Sequence, residues 1–340
     1  MRRYFGMICI VLFVLLAFFV SSTPVQAQQK ELKLRYSNMY PPPHPFTKMM
    51  EDWAKEIDAK TEGRVKITLY SGGTLTPATQ TYDSTVKGIA DLGTALLAYS
   101  PGRFPLCEAF ALPLGYNSGH QATKAANAFY KKFQPKEFAD TKVMYFHVSP
   151  PGFVMTRKVI NSMDEIKGLR IRVNTEIAPI ITALGGSPVT IPIPETYDSV
   201  KKGLLDGLLF PIEALKGWKL AEVVSCVLES KSTAYGTSLY VVMNKDKWNA
   251  ISPADQAVIE KINEQMIDKQ GKAWDYETEL AVEDAKKKGV TFVKIPAAED
   301  AKNVEKVQPI LKKYAEDLKA KGLPGDEALK FMQDYLKANP

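Results

Sequence analysis

Two arginines on one predicted strand are the residues of this sequence best suited to binding chemistry. The stretch KGLRIRV, residues 167–173, alternates apolar residues with Arg170 and Arg172. Such alternation predicts a half-buried strand whose open face carries both guanidinium groups. A guanidinium group is always charged, and its planar fork can hold both oxygens of a carboxylate. The strand is therefore a candidate carboxylate-binding element, with two solvated surface charges as the alternative interpretation.

Motifs for catalysis or metal binding are not found elsewhere in the sequence. His44, His120 and His147 lack metal-ligand spacing, and there is no phosphate-binding loop, dinucleotide fingerprint or nucleophile elbow. We interpret His147 as a residue of a lobe interior. His44 lies in a proline-rich loop that could border a cleft, but we favour a solvated loop residue. Asp91 and Asp206 each follow a helix-ending glycine, which favours a turn or capping role over a catalytic carboxylate pair. We predict no catalytic residue, metal or cofactor.

Composition and charge place the chain among ordinary globular proteins. It has 340 residues and a net charge of +6, which falls to +4 without the two charges of Arg2 and Arg3. No basic run or aromatic-basic patch stands out, so nucleic acid is not indicated as a partner. The length suggests two domains.

The first 27 residues have the features of a secretory signal peptide. Arg2 and Arg3 precede an apolar run over 7–20, and Val25-Gln26-Ala27 forms a small-x-small cleavage site. The run is short for a membrane span. We therefore predict export with cleavage near Ala27, and an uncleaved signal anchor is the alternative.

Two cysteines remain in the predicted mature chain. Cys107 and Cys226 both stand in apolar contexts, PLCEAF and VVSCVL. An exported protein could join them in one disulfide, but two buried free thiols fit the contexts at least as well.

The elements that must position the arginines follow an alternating order. Strands and helices predicted over residues 32–96 run β-α-β-α-β, which implies a mostly parallel sheet with helices on both faces. A Pro/Gly cluster, Ser149-Pro-Pro-Gly, follows the strand KVMYFHV and predicts a crossing between domains. Ser252 and Pro253 are suited to begin a helix that continues to about Lys288, which is long enough to span two domains.

An internal repeat indicates that two α/β lobes share one plan. TYDSTVKGIAD, residues 81–91, and TYDSVKKGLLD, residues 196–206, are identical at seven of eleven positions. Each copy lies downstream of a Gly-Gly pair, which we interpret as a shared turn. Because ligands of open α/β sheets lie beyond the carboxyl ends of the strands, two such lobes would face each other across a cleft.

The predicted division of the chain is discontinuous. Lobe I takes residues 28–150 and about 237–270, and lobe II takes 151–236 and about 280–310. A helix over 252–288 bridges both lobes, and a helical segment over 311–340 completes the chain.

Several motifs together resemble those of a known family. GLRIRV, ALGGSPV and PETYDSVKKGLLDG resemble the signature of TRAP-transporter solute-binding proteins of the DctP type, and EGRVKITLYSGGTL and LYVVMNKDKW are similar to other parts of that family. The resemblance covers nearly the whole predicted mature chain. It implies a two-lobed periplasmic binding protein fold with a cleft, and no enzymatic activity. It also implies delivery of a small organic acid to a small and a large membrane permease subunit.

The resemblance assigns different roles to the two arginines. The second arginine of the family's strand, here Arg172, typically holds the ligand carboxylate, and Arg170 would be a supporting surface charge. Where sialic acid receptors of the family have a second pocket arginine, this chain has Gly152. Their other polar or aromatic pocket residues correspond to Leu96, Ile193 and Phe210 here.

These departures replace polar pocket groups by apolar surface, so we predict a monocarboxylate with an apolar or aromatic body. Besides Arg172, the predicted ligand-binding residues are Phe153, Ile193, Phe210, Asn174, Glu213, Tyr99, Met39 and Gln80. A monomer is expected. The alternatives are a binding protein that serves as the sensor of a signalling receptor and, from another class, an exported lyase or hydrolase.

Overall fold

Two β-sheets form the centres of the two lobes. The computed structural model describes residues 31–340, so the predicted signal peptide lies outside the described residues. The sheet of lobe I has the strand order β2-β1-β3-β10-β4, and that of lobe II has the order β11-β9-β5-β8-β6-β7. The strands are β1 Leu32–Asn38, β2 Val65–Tyr70, β3 Leu92–Leu96, β4 Thr141–Val148, β5 Gly152–Thr156, β6 Arg170–Val173, β7 Ser187–Thr190, β8 Gly207–Pro211, β9 Cys226–Glu229, β10 Ser238–Asn244 and β11 Thr291–Lys294.

Each sheet is mostly parallel and contains one reversed strand. The units β2-β1-β3 and β7-β6-β8 are parallel, as predicted from the β-α-β-α-β order. β10 is antiparallel to both of its neighbours in lobe I, and β5 is antiparallel to both of its neighbours in lobe II. The sequence analysis assigned no strand to β5.

Helices cover the sheets and continue from one lobe to the other. Their bounds are α1 Pro45–Lys60, α2 Thr81–Val86, α3 Gly119–Phe133, α4 Ala178–Ala183, α5 Thr196–Lys201, α6 Ala214–Gly217, α7 Lys245–Asn249, α8 Pro253–Lys287, α9 Ala297–Ala320 and α10 Gly325–Ala338. No helix in this part of the chain is both long and apolar enough to cross a membrane.

The 35-residue helix α8 bridges the lobes. It begins as predicted, because the Ser252 side chain accepts a hydrogen bond from the Asp255 amide and Pro253 occupies the first turn. The helix packs on α1, α3 and β4 of lobe I and on α6 of lobe II.

Two further connections between the lobes lie side by side. The segment Ser149–Gly152 joins β4 to β5, and a second segment joins β9 to β10. The Ser149 amide donates to the Thr237 carbonyl at 2.9 Å, and the Gly152 amide donates to the Tyr235 carbonyl at 3.0 Å. These bonds tie the two connections together directly behind the parallel units.

The internal repeat corresponds to one arginine–aspartate ion pair in each lobe, Arg35–Asp91 and Arg170–Asp206, which we call the clamps. In lobe I, Arg35 donates through its backbone amide and Nε to Asp91, and through Nη2 to the Gly88 carbonyl. In lobe II, Arg170 makes the same three bonds with Asp206 and Gly203. Asp91 and Asp206 therefore hold strand starts together, as their repeated context indicated, and Arg170 is engaged by Asp206.

The shared Gly-Gly turn inferred from the sequence is wrong. Gly72 and Gly73 follow the strand β2, whereas Gly185 and Gly186 follow the helix α4 and precede β7. The lobe I counterpart of Gly185 is Gly63, which follows α1 with φ +80°. The similarity of the two pairs in the sequence is a coincidence.

Both cysteines are free and buried, Cys107 in lobe I and Cys226 in lobe II. Of the two interpretations of the sequence, the structure supports the free thiols.

Candidate functional site

Arg172 lies at the carboxyl half of β6 and is completely buried, with 0% of its surface exposed. This corrects the expectation that both arginines lie on an open face. Only Arg170, at the start of the strand, is exposed. Nε of Arg172 donates to the Ile191 carbonyl at 2.9 Å. Neither Nη1 nor Nη2 has a hydrogen-bond partner among residues 31–340.

An aromatic wall lies against this guanidinium group. Cζ of Arg172 is 4.8 Å from the ring centroid of Phe210, a cation–π arrangement. Phe153 is the cross-strand neighbour of Phe210 in the β5–β8 pair, so the two rings project from the same face of the sheet. Both residues were predicted as site residues, and the structure brings Phe210 into direct contact with Arg172.

Enclosing the charged guanidinium group of Arg172 without a negatively charged partner costs free energy. Desolvation lowers the pKa of Arg172 from its usual value, and the nearby Tyr99 opposes that shift. A buried charge needs a partner that supplies both opposite charge and hydrogen bonds. A carboxylate, with two acceptor oxygens, would complete the two free Nη groups.

Tyr99 connects lobe I to the Arg172 site. Its hydroxyl accepts a hydrogen bond from the Ile193 amide at 2.9 Å, which joins the two lobes in a closed arrangement. Desolvation raises the pKa of Tyr99, and Arg172 partly offsets this, so the phenol remains neutral near the guanidinium group. Ile193 and Met39 are both buried, as expected of residues that form an apolar enclosure.

Two further polar side chains of the same segment lack partners. Asn174 continues the extended backbone after β6, so its side chain lies on the same face as that of Arg172. Both of its amide atoms are buried and unpartnered in the described part of the chain, and so is Oε2 of Glu176. Burial raises the pKa of Glu176 to about 7, against the opposing effect of Arg172.

Gly152 has no room for a side chain because Tyr235 fills the adjacent space. A Cβ at Gly152 would lie 2.2 Å from Cε1 of Tyr235. The Tyr235 ring is fully buried, and its hydroxyl accepts from Thr237 Oγ1 at 3.1 Å. The position that could have carried a second arginine is therefore closed by a neutral aromatic side chain.

His44 and Glu213 form a second contact between the lobes. Nε2 of His44 lies 3.2 Å from Oε1 of Glu213, and both side chains are buried. The prediction of a solvated His44 is wrong: its Nδ1 caps α1 by accepting from the Phe46 amide at 3.3 Å. Nε2 lies close to Glu213 but makes no hydrogen bond within the described residues. A Cβ at Gly217 would meet Oε1 of Glu213 and Nε2 of His44, so a side chain there would displace this pair.

The remaining expected residues have different positions. Gln80, at the end of the turn Ala78–Gln80, is exposed, and the structure does not bring it to the enclosed group around Arg172. His147 is buried, as predicted, and its Nδ1 accepts a hydrogen bond from Trp274 Nε1 at 3.1 Å.

The sequence analysis missed Glu176, Tyr235 and the pairing of His44. Glu176 stands four residues after Arg172, and this spacing could have marked it. Nothing in the local sequence of Tyr235 indicates that its ring would lie against Gly152, because 82 intervening residues separate them.

Two α/β lobes, a bridging helix and an enclosed cation between the lobes define a solute-binding protein of the closing-cleft class. Residues 36–317 match the family model described as "Bacterial extracellular solute-binding protein, family 7", DctP. The chain belongs to this family, whose members bind small organic acids and work with membrane permease subunits of TRAP transporters.

Solved structures of similar proteins agree with this assignment. A TRAP periplasmic solute-binding protein from Desulfovibrio salexigens is 30% identical, with 91% of this chain and 97% of that chain covered and a TM-score of 0.80. A marine metagenome protein specific for aromatic acid ligands, bound to 3-hydroxybenzoate, is 25% identical over 91% and 99%, with a TM-score of 0.86. A Bordetella bronchiseptica protein with bound mandelate is 26% identical over 91% and 100%, with a TM-score of 0.84.

Proposed function

We propose that this protein is the periplasmic receptor of a TRAP transporter and binds a monocarboxylate with an apolar or aromatic body. The observation that carries the proposal is the buried guanidinium group of Arg172 with two unpartnered Nη atoms beside the Phe210 ring. One carboxylate satisfies the free cation, and the ring supplies a flat apolar surface to the rest of the ligand.

The surroundings favour one charged group on the ligand. Gly152 is closed by Tyr235, so a second guanidinium group is not available there for another carboxylate. Ile193 and Met39 are apolar and buried. A sugar acid would place several hydroxyls against these walls, which costs free energy for each unpaired group. The aromatic ligands of the marine and Bordetella relatives support the same ligand class.

Closure of the lobes captures the ligand in this proposal. The Tyr99–Ile193 hydrogen bond and the His44–Glu213 pair both join the lobes, and both would form as the cleft closes. The closed receptor then presents one continuous surface to the small and large permease subunits. We expect the exported protein, cleaved near Ala27, to act as a monomer without catalysing a reaction.

Calorimetric titration with a panel of acids tests the ligand class. We expect benzoate, 3-hydroxybenzoate and mandelate to bind more tightly than succinate, malate, glucuronate or sialate. Mass spectrometry of acid that co-purifies with the protein gives an independent identification. Tight binding of dicarboxylates or sialate, with no binding of aromatic acids, would overturn the proposal.

A further inference from the structure

The segment 172–176 concentrates buried polar atoms that lack partners. Of the fifteen such side-chain atoms found in the described residues, five belong to Arg172, Asn174 and Glu176. A ligand carboxylate accounts for the two Nη atoms of Arg172. It leaves one donor and one acceptor of Asn174, and Oε2 of Glu176, without partners. Because buried polar groups are nearly always hydrogen-bonded, these three atoms point to a second polar group on the ligand.

Glu176 of lobe II faces a cavity that residues of both lobes line, and neither Arg172 nor Asn174 is among its lining residues. The cavity has a volume of about 60 Å³, and it is also lined by Leu97 and Ala98, which directly precede Tyr99 in lobe I. Arg172 and Glu176 each act electrostatically on both Tyr99 and Tyr235. These interactions place the four side chains close to one another. Although Glu176 is half-buried as a residue, its Oε2 atom is fully enclosed.

The chemistry of Glu176 favours a hydroxyl group over an ammonium group. Desolvation raises the pKa of Glu176 to about 7, so a neutral carboxyl is readily formed. A ligand carboxylate at Arg172 would raise that pKa further, since like charges disfavour ionisation. A neutral carboxyl both donates and accepts, as does the amide of Asn174. A hydroxyl, which also does both, matches this pair.

We propose that Glu176, together with Asn174, is a specificity determinant that selects ligands carrying a hydroxyl group in addition to the carboxylate. The inference rests on the proposed function, because Arg172 must hold the carboxylate for the hydroxyl to reach Glu176. It adds a property that the anchor and the apolar walls do not supply, namely discrimination between an acid and its hydroxylated analogue.

Calorimetric titration with matched acids tests the inference. The probes are benzoate against 3-hydroxybenzoate, and phenylacetate against mandelate and phenylglycine, at pH 7. We expect the wild type to prefer at least one hydroxylated acid about tenfold over its analogue, and mandelate over phenylglycine, as one buried hydrogen bond predicts. Glu176→Met should reduce that preference below about twofold, whereas Glu176→Gln should keep it. Glu305→Met, an exposed position on α9, is the matched control.

The outcomes separate the two proposals. Equal affinities within both pairs in the wild type, a preference for phenylglycine, or an unchanged preference in Glu176→Met would overturn the role of Glu176 alone. Absence of binding by all five acids would overturn the proposed function and this inference with it. If Glu176→Met does not fold, the wild-type ratios and Glu176→Gln still decide, because a loss of preference in Glu176→Gln also contradicts the inference.

Discussion

The two lobes share a scaffold and differ in what they enclose. Arg35–Asp91 and Arg170–Asp206 make the same set of bonds, which aligns β1 with β6 and β3 with β8. Two residues beyond each clamp arginine, lobe I has Ser37 and lobe II has Arg172. The Ser37 hydroxyl is satisfied by Thr76 at 2.6 Å, whereas the two Nη atoms of Arg172 find no partner in the described chain.

The neighbouring strands, β3 in lobe I and β8 in lobe II, also carry different side chains at equivalent positions. Four residues after the clamp aspartate, lobe I has Ala95 and lobe II has Phe210, whose ring lies against Arg172. Met39 in lobe I corresponds to Asn174 in lobe II by the same alignment. The two lobes thus have equivalent frames, and in the proposed function the binding chemistry lies on one of them. Lobe I contributes apolar enclosure and the Tyr99 hydroxyl.

The largest expected effect comes from replacing the residue that distinguishes the lobes. Arg172→Ala should weaken binding of an aromatic acid by about 3–4 kcal/mol, since the carboxylate loses its charged partner in a dry site. Isothermal titration calorimetry measures the change. Ser37→Ala, at the equivalent position of lobe I, is the matched control and should change the affinity less than about threefold. Similar losses for both variants would contradict the assignment of the anchor to lobe II.

Gly152 tests whether the closed space beside Arg172 matters. In Gly152→Ala the new Cβ would meet the Tyr235 ring, and we expect a loss of about 2–3 kcal/mol in the free energy of unfolding. Chemical denaturation measures it. Tyr235→Leu in the same background should recover part of the loss. Additive effects of the two substitutions would show that the contact is not the cause.

The two arginine–aspartate clamps should contribute differently to the free energy of unfolding, although they contain the same set of hydrogen bonds. The Asp91 side chain is 2% exposed and that of Asp206 is 30% exposed. Asp91→Ala should lower the unfolding free energy by about 2 kcal/mol, because the amide and guanidinium group of Arg35 lose a buried acceptor. Asp206→Ala should cost less, since water replaces the carboxylate. Denaturant titration of both variants decides; a larger loss for Asp206→Ala would reverse the comparison.

The acidic residue near the anchor should make binding depend on pH. The pKa of Glu176 is raised to about 7 in the closed molecule from its ordinary value of 4.5. Protonation of Glu176 therefore favours closure most below pH 4.5. This favourable free energy is lost as the pH rises through about 7. We expect 3-hydroxybenzoate, ionised throughout, to bind about tenfold more tightly at pH 5.5 than at pH 8.

Glu176→Gln is the control for the pH dependence, because it removes the titrating group and keeps its size. The variant should show a nearly flat profile over the same range. A profile of Glu176→Gln as steep as that of the wild type would assign the titration to another group.

Much of the architecture could be predicted because it depends on local periodicity. The β-α-β-α-β order over residues 32–96, the cap at Ser252 and the alternation around Arg172 all predict elements that the structure contains. β5 was missed because it is five residues long and directly follows two prolines. Its pairing with β8 and β9 depends on residues far away in the sequence.

The site was predictable only where a single strand carries it. Arg172 and Asn174 lie on one segment, and alternation places them on one face. His44 looked solvated because a proline-rich loop indicates exposure. Its burial depends on Glu213, which a different lobe supplies. The exposure of Arg172 was also misjudged, because strand alternation does not reveal that other parts of the chain cover this end of the strand.

The reversed strands impose an order on folding. β10 lies between β3 and β4, so the sheet of lobe I cannot be completed until residues up to 244 have left the translocation or synthesis machinery. β5 to β9, residues 152–229, form an uninterrupted stretch of chain that can assemble the centre of the lobe II sheet earlier. We therefore expect the amino-terminal lobe, which emerges first, to acquire protection from hydrogen exchange last.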